Sequence, residues 1–143
     1  AKVKEAEVVA PKPRAAGVQG ARVMVVEDVD VNRILMAKYM EAMGCTAIFA
    51  SNGVEAVNLY KNEQVDIIFM DCQMPILNGY DAAKQIRAGE AAPQNIDIPI
   101  VAMTANAMMG ERQKCLDAGM SDYITKPIDP DKLSNTLQSW LPS

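Results

Sequence analysis

The stretch IIFMDCQMP, residues 67–75, places four consecutive large apolar side chains directly before a carboxylate, Asp71. An uninterrupted apolar run of this length is typical of a strand that is buried on both faces of a parallel sheet. In an open parallel sheet, ligands bind beyond the carboxyl ends of the strands. The stretch therefore predicts a central strand over residues 67–70, with Asp71 at the functional edge of the sheet.

Similar apolar runs alternate with helix-patterned stretches over most of the chain. The predicted strands are Val23–Val26, Ala47–Ala50, Ile67–Met70, Ile98–Met103 and Tyr123–Thr125. The predicted helices are Val31–Met43, Val54–Asn62, Tyr80–Arg87, Ala107–Ala118 and Pro130–Trp140. Strict alternation requires right-handed crossovers and a parallel sheet covered by helices on both faces. The expected fold class is α/β, a doubly wound parallel sheet.

The domain organisation follows from a change in composition near residue 20. Residues 1–20 mix Lys, Pro, Gly and Ala without a sustained apolar period, which indicates a linker or flexible tail. Residues 21–143 have the length of one domain with a single core. The chain begins with Ala1 rather than Met and carries no signal peptide, so we expect a piece of a longer protein.

Composition excludes several classes of protein. A net charge of -4 and a pI near 4.8 argue against a nucleic-acid surface, and no apolar run approaches the length of a membrane span. The chain has three cysteines without CxxC spacing and no histidine, which excludes a zinc site of the usual kind and favours free thiols in the cytoplasm. Any phosphohistidine must come from outside this chain.

Polar residues follow the other predicted strands as well. Glu27 and Asp28 come after the first strand, Thr104 after the fourth and Lys126 after the fifth. Carboxylates gathered at one edge repel one another unless a cation lies among them. Oxygen ligands completed by water and phosphate suit Mg²⁺ better than calcium or zinc. With a hydroxyl and an ammonium nearby, the pocket is suited to a phosphoryl group.

The charges suggest a role for each residue. Asp71 is the predicted nucleophile, which attacks phosphorus and forms an aspartyl phosphate. Glu27 and Asp28 are adjacent and better placed to share a metal ion. Lys126 is expected to offset charge on the phosphoryl oxygens, and Thr104 to donate a hydrogen bond.

Helix starts are marked by polar residues. We predict Asp30 as the N-cap of the first helix rather than a metal ligand, and Asn52 with Glu55 as a capping box. Asp129 before Pro130 predicts the start of the last helix. The glycines that follow Asn52 and Asn78 are interpreted as turn residues and assigned no ligand.

Four segments carry a resemblance to a known family. They are VVEDVDVNR, MDCQMP, VAMTANA and AGMSDYITKPI, which begin at residues 25, 70, 101 and 118. In order and spacing they resemble the receiver, or response-regulator, family of two-component signalling, over about residues 21–141. The residues of these segments are most similar to those of receivers in hybrid sensor histidine kinases. The resemblance implies a flavodoxin-like (βα)5 fold with strand order 2-1-3-4-5.

The resemblance also implies a function and a set of ligands. Asp71 would accept a phosphoryl group from phosphohistidine, and Mg²⁺ would be bound by Asp28, Asp71 and the backbone carbonyl of Gln73. Glu27 would act through water; it stands where Asp is commoner in the family, which leaves the geometry of the metal open. Lys126 would contact the phosphoryl group and be joined to the next residue by a cis peptide bond.

Switching and partners are further implications of the resemblance. Thr104 would move toward the phosphate and Tyr123 would turn inward, which shifts the face formed by the fourth helix, fifth strand and fifth helix. The partner would be a histidine phosphotransfer domain or the kinase core of the same polypeptide. Gln73 and Asn106, both amides, would leave water attack on the phosphate unaided. No nucleic-acid or membrane contact is expected of this domain, although its parent protein could be membrane-anchored.

Other functions stay open on the sequence. Residues 28–31, DVDV, match the signature of haloacid-dehalogenase-type phosphatases, and the fold class also suits an FMN carrier. A pseudo-receiver would keep the fold as an interaction module without being phosphorylated. Whether the domain counts as an enzyme is also open, because a receiver promotes its own phosphorylation and dephosphorylation within a kinase polypeptide. Val31 and Ile34 are a docking surface for a partner helix, core residues, or scattered apolar residues of the surface.

Overall fold

The computed structural model describes residues 18–105 and 108–141. Five strands alternate with five α-helices in the described residues. The strands are β1 (Arg22–Val26), β2 (Thr46–Ala50), β3 (Ile67–Asp71), β4 (Ile100–Thr104) and β5 (Asp122–Thr125). The helices are α1 (Asp30–Ala42), α2 (Gly53–Asn62), α3 (Gly79–Arg87), α4 (Met109–Asp117) and α5 (Pro130–Trp140). A short 3-10 helix, Pro93–Asn95, precedes β4.

The strands form one parallel sheet in the order β2-β1-β3-β4-β5, which confirms the predicted fold class and strand order. β3 lies at the centre, and its last residue, Asp71, is in register with Met103 of β4. Val26, the last residue of β1, is in register with Met70. The carboxyl ends of the three central strands therefore finish at the same level of the sheet.

The sheet separates two hydrophobic cores. On one face, the buried side chains of α1 and α5 pack against alternate residues of the central strands: Met36, Met40, Leu133, Leu137, Val23, Val25, Ile67, Phe69, Val101 and Met103. On the other face, α2, α3 and α4 cover the remaining alternate residues: Met24, Val26, Ile68, Met70, Ile100 and Ala102. Burial on both faces explains why these strands are continuous apolar runs in the sequence.

The predicted elements are all present with boundaries that shift by at most two residues, and two differences have a clear physical reason. β4 begins at Ile100 rather than Ile98, because Pro99 has no N–H to donate to a sheet. Asp30 is not an N-cap: α1 begins at Asp30, and the cap position is occupied by Val29, which has no side-chain hydrogen bond. The capping prediction was therefore wrong, and Asp30 instead forms an ion pair with Arg33.

The other two predicted caps are confirmed. Asn52 Oδ1 accepts a hydrogen bond from the Glu55 N–H at 2.9 Å, and the Asp129 side chain accepts from the Asp131 N–H at 2.9 Å. Of the predicted tail, residues 1–17 lie outside the described residues. Gly20 donates to the Gly44 carbonyl at 2.8 Å, so the chain enters the domain beside the end of α1.

No helix within residues 18–105 and 108–141 has the length and apolar character that crossing a membrane requires.

Candidate functional site

The polar residues predicted at the carboxyl edge of the sheet come together in the structure. Glu27 and Asp28 directly follow β1, Asp71 ends β3, Thr104 ends β4 and Lys126 directly follows β5. Carboxylate oxygens of Glu27, Asp28 and Asp71 all lie within 4.8 Å of one another. Five residues that span a hundred positions of sequence thus meet because parallel strands end at one edge.

Lys126 bridges the two buried carboxylates of this cluster. Its Nζ lies 3.0 Å from Glu27 Oε1 and 3.1 Å from Asp71 Oδ2. Glu27 is 1% exposed and Asp71 4% exposed, so both charges are removed from bulk water. The remaining oxygens also have partners: Glu27 Oε2 accepts from the Val29 N–H, and Asp71 Oδ1 accepts from the Gln73 N–H, each at 3.1 Å.

The electrostatics of the two buried carboxylates differ. Burial raises the pKa of Asp71 to about 6; hydrogen bonds from the Gln73 N–H and Lys126 oppose the rise, and the Glu27 charge adds to it. Burial also opposes ionisation of Glu27, but hydrogen bonds from Lys126 and the Val29 N–H outweigh it and hold the pKa of Glu27 below its usual value. Burial works against the Lys126 ammonium too, yet its bonds to both carboxylates raise the pKa of Lys126. Of these three groups, Asp71 is therefore the one whose charged form is disfavoured by its surroundings.

The donor set fits a hard divalent cation. The cluster contains three carboxylates and one ammonium, which bridges two of them, so its net charge is negative. The ligands are all oxygens, and half-buried Asp28 provides the side of the cluster that water can reach. Mg²⁺ prefers such a shell of a few carboxylates with several waters. The predicted ligand role of the Gln73 carbonyl stays a prediction, since the contact seen for Gln73 is made by its N–H.

The two predicted switch residues lie near the site on neighbouring strands. Thr104 is 5% exposed, and its carbonyl accepts from the Lys126 N–H at 2.8 Å, which ties the β5 end to β4. Tyr123 is half-buried on β5, and the Arg112 guanidinium of α4 lies 5.3 Å from the centre of its ring. The peptide bond between Lys126 and Pro127 is cis, as the resemblance implied. Asn106 lies outside the described residues, so its expected role is not addressed.

The structure also reveals residues that sequence reasoning missed. Gly79 is more than a turn residue, because a Cβ built there would lie 2.1 Å from the Asp71 carbonyl oxygen. Its N–H donates to the Cys72 carbonyl at 3.2 Å, so α3 begins in direct contact with the backbone that carries Asp71. Arg33 of α1 donates to the Glu27 carbonyl at 2.6 Å and holds that loop from the other side. A glycine after Asn78 was the available signal for the first, and nothing in the spacing indicated the second.

A family model described as the response regulator receiver domain matches residues 23–138 of this chain. The chain belongs to the response regulator receiver domain family. The match covers all strands except the first residue of β1, and all of α5 except its last two residues, so it includes the whole carboxyl edge described above. The receiver domain resemblance inferred from four segments of sequence is thereby confirmed.

Curated relatives of this receiver domain include much longer signalling proteins. Sensor protein GacS of Pseudomonas syringae pv. syringae is 36% identical over 140 residues, which is 94% of this chain and 15% of that protein. Hybrid signal transduction histidine kinase E of Dictyostelium discoideum is 39% identical over 82% of this chain and 7% of its own length. The receiver domain thus spans a small fraction of the curated relatives it matches.

Solved structures resemble this receiver domain over nearly their whole length. The receiver domain of sensor histidine kinase PA1611 from Pseudomonas aeruginosa PAO1, with a magnesium ion coordinated in its active site cleft, is 38% identical with a TM-score of 0.76. The match covers 85% of this chain and 97% of that one. The receiver domain of the Saccharomyces cerevisiae response regulator Ssk1, crystallised with the histidine phosphotransfer protein Ypd1, is 34% identical with a TM-score of 0.80 over 85% and 89% of the two chains.

Proposed function

We propose that this receiver domain accepts a phosphoryl group from a phosphohistidine onto Asp71, with a bound Mg²⁺, as a step in a phosphorelay. The observation that carries the proposal is the position of the Asp71 carboxylate. It is buried at the carboxyl end of the central strand, within reach of Lys126 on one side and of Glu27 and Asp28 on the other.

In the reaction, a carboxylate oxygen of Asp71 forms a bond to phosphorus while the bond from phosphorus to the donor imidazole nitrogen breaks. The imidazole leaves with the electron pair of that bond. The Gln73 N–H holds Asp71 Oδ1 and the Lys126 ammonium holds Oδ2, so the nucleophile is fixed before the donor arrives. The raised pKa of Asp71, about 6, still leaves the carboxylate mainly ionised at pH 7.

The other residues of the cluster have electrostatic roles. Glu27, Asp28 and Asp71 would hold Mg²⁺, which when bound supplies positive charge to the phosphoryl oxygens. Lys126 would move from the Asp71 oxygen to the phosphoryl group, and it keeps Glu27 as a second partner at 3.0 Å. Thr104 would donate to the phosphoryl oxygens and Tyr123 would turn inward behind it. This pair would pass the change to the face of α4, β5 and α5.

A mass measurement tests the proposal. After incubation with Mg²⁺ and phosphoramidate, intact protein should gain one phosphoryl group, about 80 Da, on a carboxylate. Chelation with EDTA and the change Asp71→Ala should each abolish the gain. Asp30→Ala is the matched control, because that carboxylate lies in the same loop region but its side chain is 83% exposed and paired with Arg33.

Each alternative function predicts a different outcome of that measurement. No adduct on wild-type protein would favour the pseudo-receiver. An adduct that persists in Asp71→Ala and is lost in Asp28→Ala would favour the phosphatase. A bound yellow chromophore in the purified protein would favour the FMN carrier.

An apolar patch on α1 supports a protein donor. The α1 patch consists of Val29, Val31, Ile34 and Leu35, which are 46%, 70%, 59% and 38% exposed. The exposure of Val31 and Ile34 excludes the core alternative for both. The patch directly follows the acidic pair in the sequence, so a helix seated on it would hold its phosphohistidine near Asp71. We propose that a histidine phosphotransfer domain or a kinase core would supply such a helix.

The α1 patch can be tested separately from the chemistry. Val31→Ser and Ile34→Ser should slow transfer from a phosphorylated histidine phosphotransfer domain and leave the rate with phosphoramidate unchanged. Leu116→Ser on α4, where the side chain is 55% exposed, is the matched control and should affect neither rate. Equal loss with both donors would contradict a docking role.

We further propose that the parent protein is a hybrid histidine kinase and that this domain works on the cytoplasmic side of any membrane it is anchored to.

A further inference from the structure

Two cysteines that are far apart in sequence are in contact beside the phosphoacceptor. Cys72 directly follows Asp71, and Cys115 lies on α4, 43 residues later. Their sulfur atoms are 3.9 Å apart, and both side chains are buried. A disulfide has an S–S length of about 2.05 Å, so the two sulfurs would have to approach each other by about 1.9 Å to form one.

Within residues 110–117 of α4, few side chains hold the helix against the sheet. From residue 110 to residue 117, Cys115 alone is buried. The other contacts of this stretch with the domain include two cation–π pairs, with Lys114 Nζ 4.6 Å from the Tyr80 ring centre and Arg112 above Tyr123. Such contacts are weak at exposed sites. A covalent bond at Cys115 would therefore change how firmly α4 is held.

A groove gives small molecules access to Cys72. Its volume is about 420 Å³, and it is lined by Cys72, Gln73, Met74, Pro75, Asn78, Tyr80 and Lys114. Lys114, which lines the groove, also affects the pKa of the neighbouring thiol, that of Cys115. Burial raises the pKa of Cys115, and the Lys114 ammonium offsets part of that rise. Cys72 is therefore reachable through the groove, and Cys115 is in contact with Cys72, although neither thiol lies on the outer surface.

We propose that Cys72 and Cys115 are an oxidation site, at which a peroxide-class oxidant forms a reversible disulfide that ties α4 to the end of β3. One sulfur, as its thiolate, attacks the peroxide; an S–O bond forms, the O–O bond breaks and hydroxide leaves. The second sulfur then attacks the sulfenic acid; the S–S bond forms, the S–O bond breaks, and its thiol proton leaves with the departing oxygen as water. Two thiols are oxidised and one peroxide is reduced to two waters.

The disulfide would act on the switch rather than on the phosphoryl chemistry itself. It would join the residue after the phosphoacceptor to the helix whose face is proposed to respond to phosphorylation. Only this consequence rests on the proposed function; formation of the bond does not. An oxidised domain would hold α4 in one position whatever the state of Asp71.

Peptide mapping under non-reducing conditions tests the proposal. After treatment with a small excess of hydrogen peroxide, two of the three thiols should be lost to alkylation, and a proteolytic peptide should link Cys72 to Cys115. Dithiothreitol should restore both thiols. Oxidised methionines add oxygen without linking peptides, so they do not confuse this readout. Hydrogen exchange of α4 amides should slow by about tenfold in the oxidised protein, while α5 amides keep their rates.

Variants separate the proposal from other outcomes. Cys45→Ser should form the same link, because half-buried Cys45 precedes β2 and its Sγ contacts the Val18 carbonyl instead. Asp71→Asn should form it too, so a failure of phosphoryl acceptance leaves this test intact. Cys115→Ala should lose it with an unchanged circular dichroism spectrum. Thiols that stay free, a link through Cys45 between two molecules, or stable sulfinic acid on one cysteine would overturn the proposal.

Discussion

The backbone oxygen of Asp71 leaves no room for a side chain at Gly79. A Cβ at that position would lie 2.1 Å from it, a distance that only movement of β3 or α3 can relieve. Glycine is thus required at position 79 because the start of α3 contacts the backbone of β3, which carries the proposed nucleophile.

We expect Gly79→Ala to lower the free energy of unfolding by about 2–4 kcal/mol, because strain at a packed backbone contact cannot relax locally. Gly110→Ala is the matched control. It lies in α4 with nothing within 4 Å of its would-be Cβ, and it should raise the free energy of unfolding by up to about 1 kcal/mol through helix propensity. Urea denaturation of the three proteins measures both effects. Equal stability of Gly79→Ala and wild type would contradict the close approach.

Asp71 is expected to destabilise the metal-free protein near neutral pH. Its pKa is raised from 3.8 to about 6, so between these values the folded protein binds a proton that the unfolded chain does not. Stability from this group is complete below the unfolded pKa and is lost as pH rises through the folded pKa. Asp71→Asn should therefore be more stable than wild type by about 1–3 kcal/mol at pH 7, and the difference should shrink toward pH 4.

The measurement is urea denaturation in EDTA across this pH range. A difference between the two proteins that stays constant from pH 4 to pH 7 would show that Asp71 does not titrate as described. Asp30→Asn, which changes an exposed carboxylate, serves as the control and should show no such trend.

At this scale the sequence predicted the charged residues of the site better than their neighbours. Glu27, Asp71 and Lys126 could be found because each stands at the end of an apolar run, and the topology of a parallel sheet brings such ends together. Arg33, Gly79 and the contact of Cys72 with Cys115 could not. Those contacts depend on how helices pack on the sheet, which no local pattern encodes.

The helices differ in how much they bury. α5 places Leu133 and Leu137 in the core with no exposed surface, whereas Leu116 of α4 is 55% exposed. Because burial of apolar area dominates helix docking, α5 should be held far more firmly than α4. A loosely held α4 fits its proposed role as a responding element.

Leu137→Ala should lower the free energy of unfolding by about 2–5 kcal/mol, because it leaves a cavity in the core between α1 and α5. The same change at Leu116 should cost less than about 1 kcal/mol, because little surface is lost to the core. Thermal unfolding of the two variants compares them directly. Similar losses would mean that α4 is packed as tightly as α5.

The start of a helix was predictable where a side chain accepts hydrogen bonds from its first backbone N–H groups. Asn52 and Asp129 were correct because their oxygens accept from the helix N–H groups that follow. The prediction for Asp30 was wrong because another carboxylate, that of Glu27, accepts a hydrogen bond in the segment before α1. Its Oε2 accepts from the Val29 N–H at 3.1 Å. Glu27 thus belongs to the proposed metal site and also accepts the N–H of the residue that precedes α1. Capping rules based on local sequence do not predict such a double role.

The whole domain carries an excess of negative charge, -4, and part of it is concentrated among three carboxylates at one edge. A ligand that binds only the folded state stabilises it by mass action. At a concentration one hundred times its dissociation constant, Mg²⁺ should add about 2.7 kcal/mol to the free energy of unfolding.

Thermal unfolding with and without MgCl₂ measures this. We expect the midpoint to rise for wild type and for Asp30→Asn, and to stay unchanged for Asp28→Asn. A rise in Asp28→Asn equal to that of wild type would place the cation elsewhere.

The sheet that divides the two cores also separates the proposed docking patch from α4. The α1 patch, where a donor would dock, belongs to the layer formed with α5, while α4 and its thiol contact belong to the opposite layer. Substitutions that are separated by a packed sheet usually act additively. A lineage of such proteins could therefore change its choice of partner by altering the α1 patch and keep the α4 side of the responding face intact.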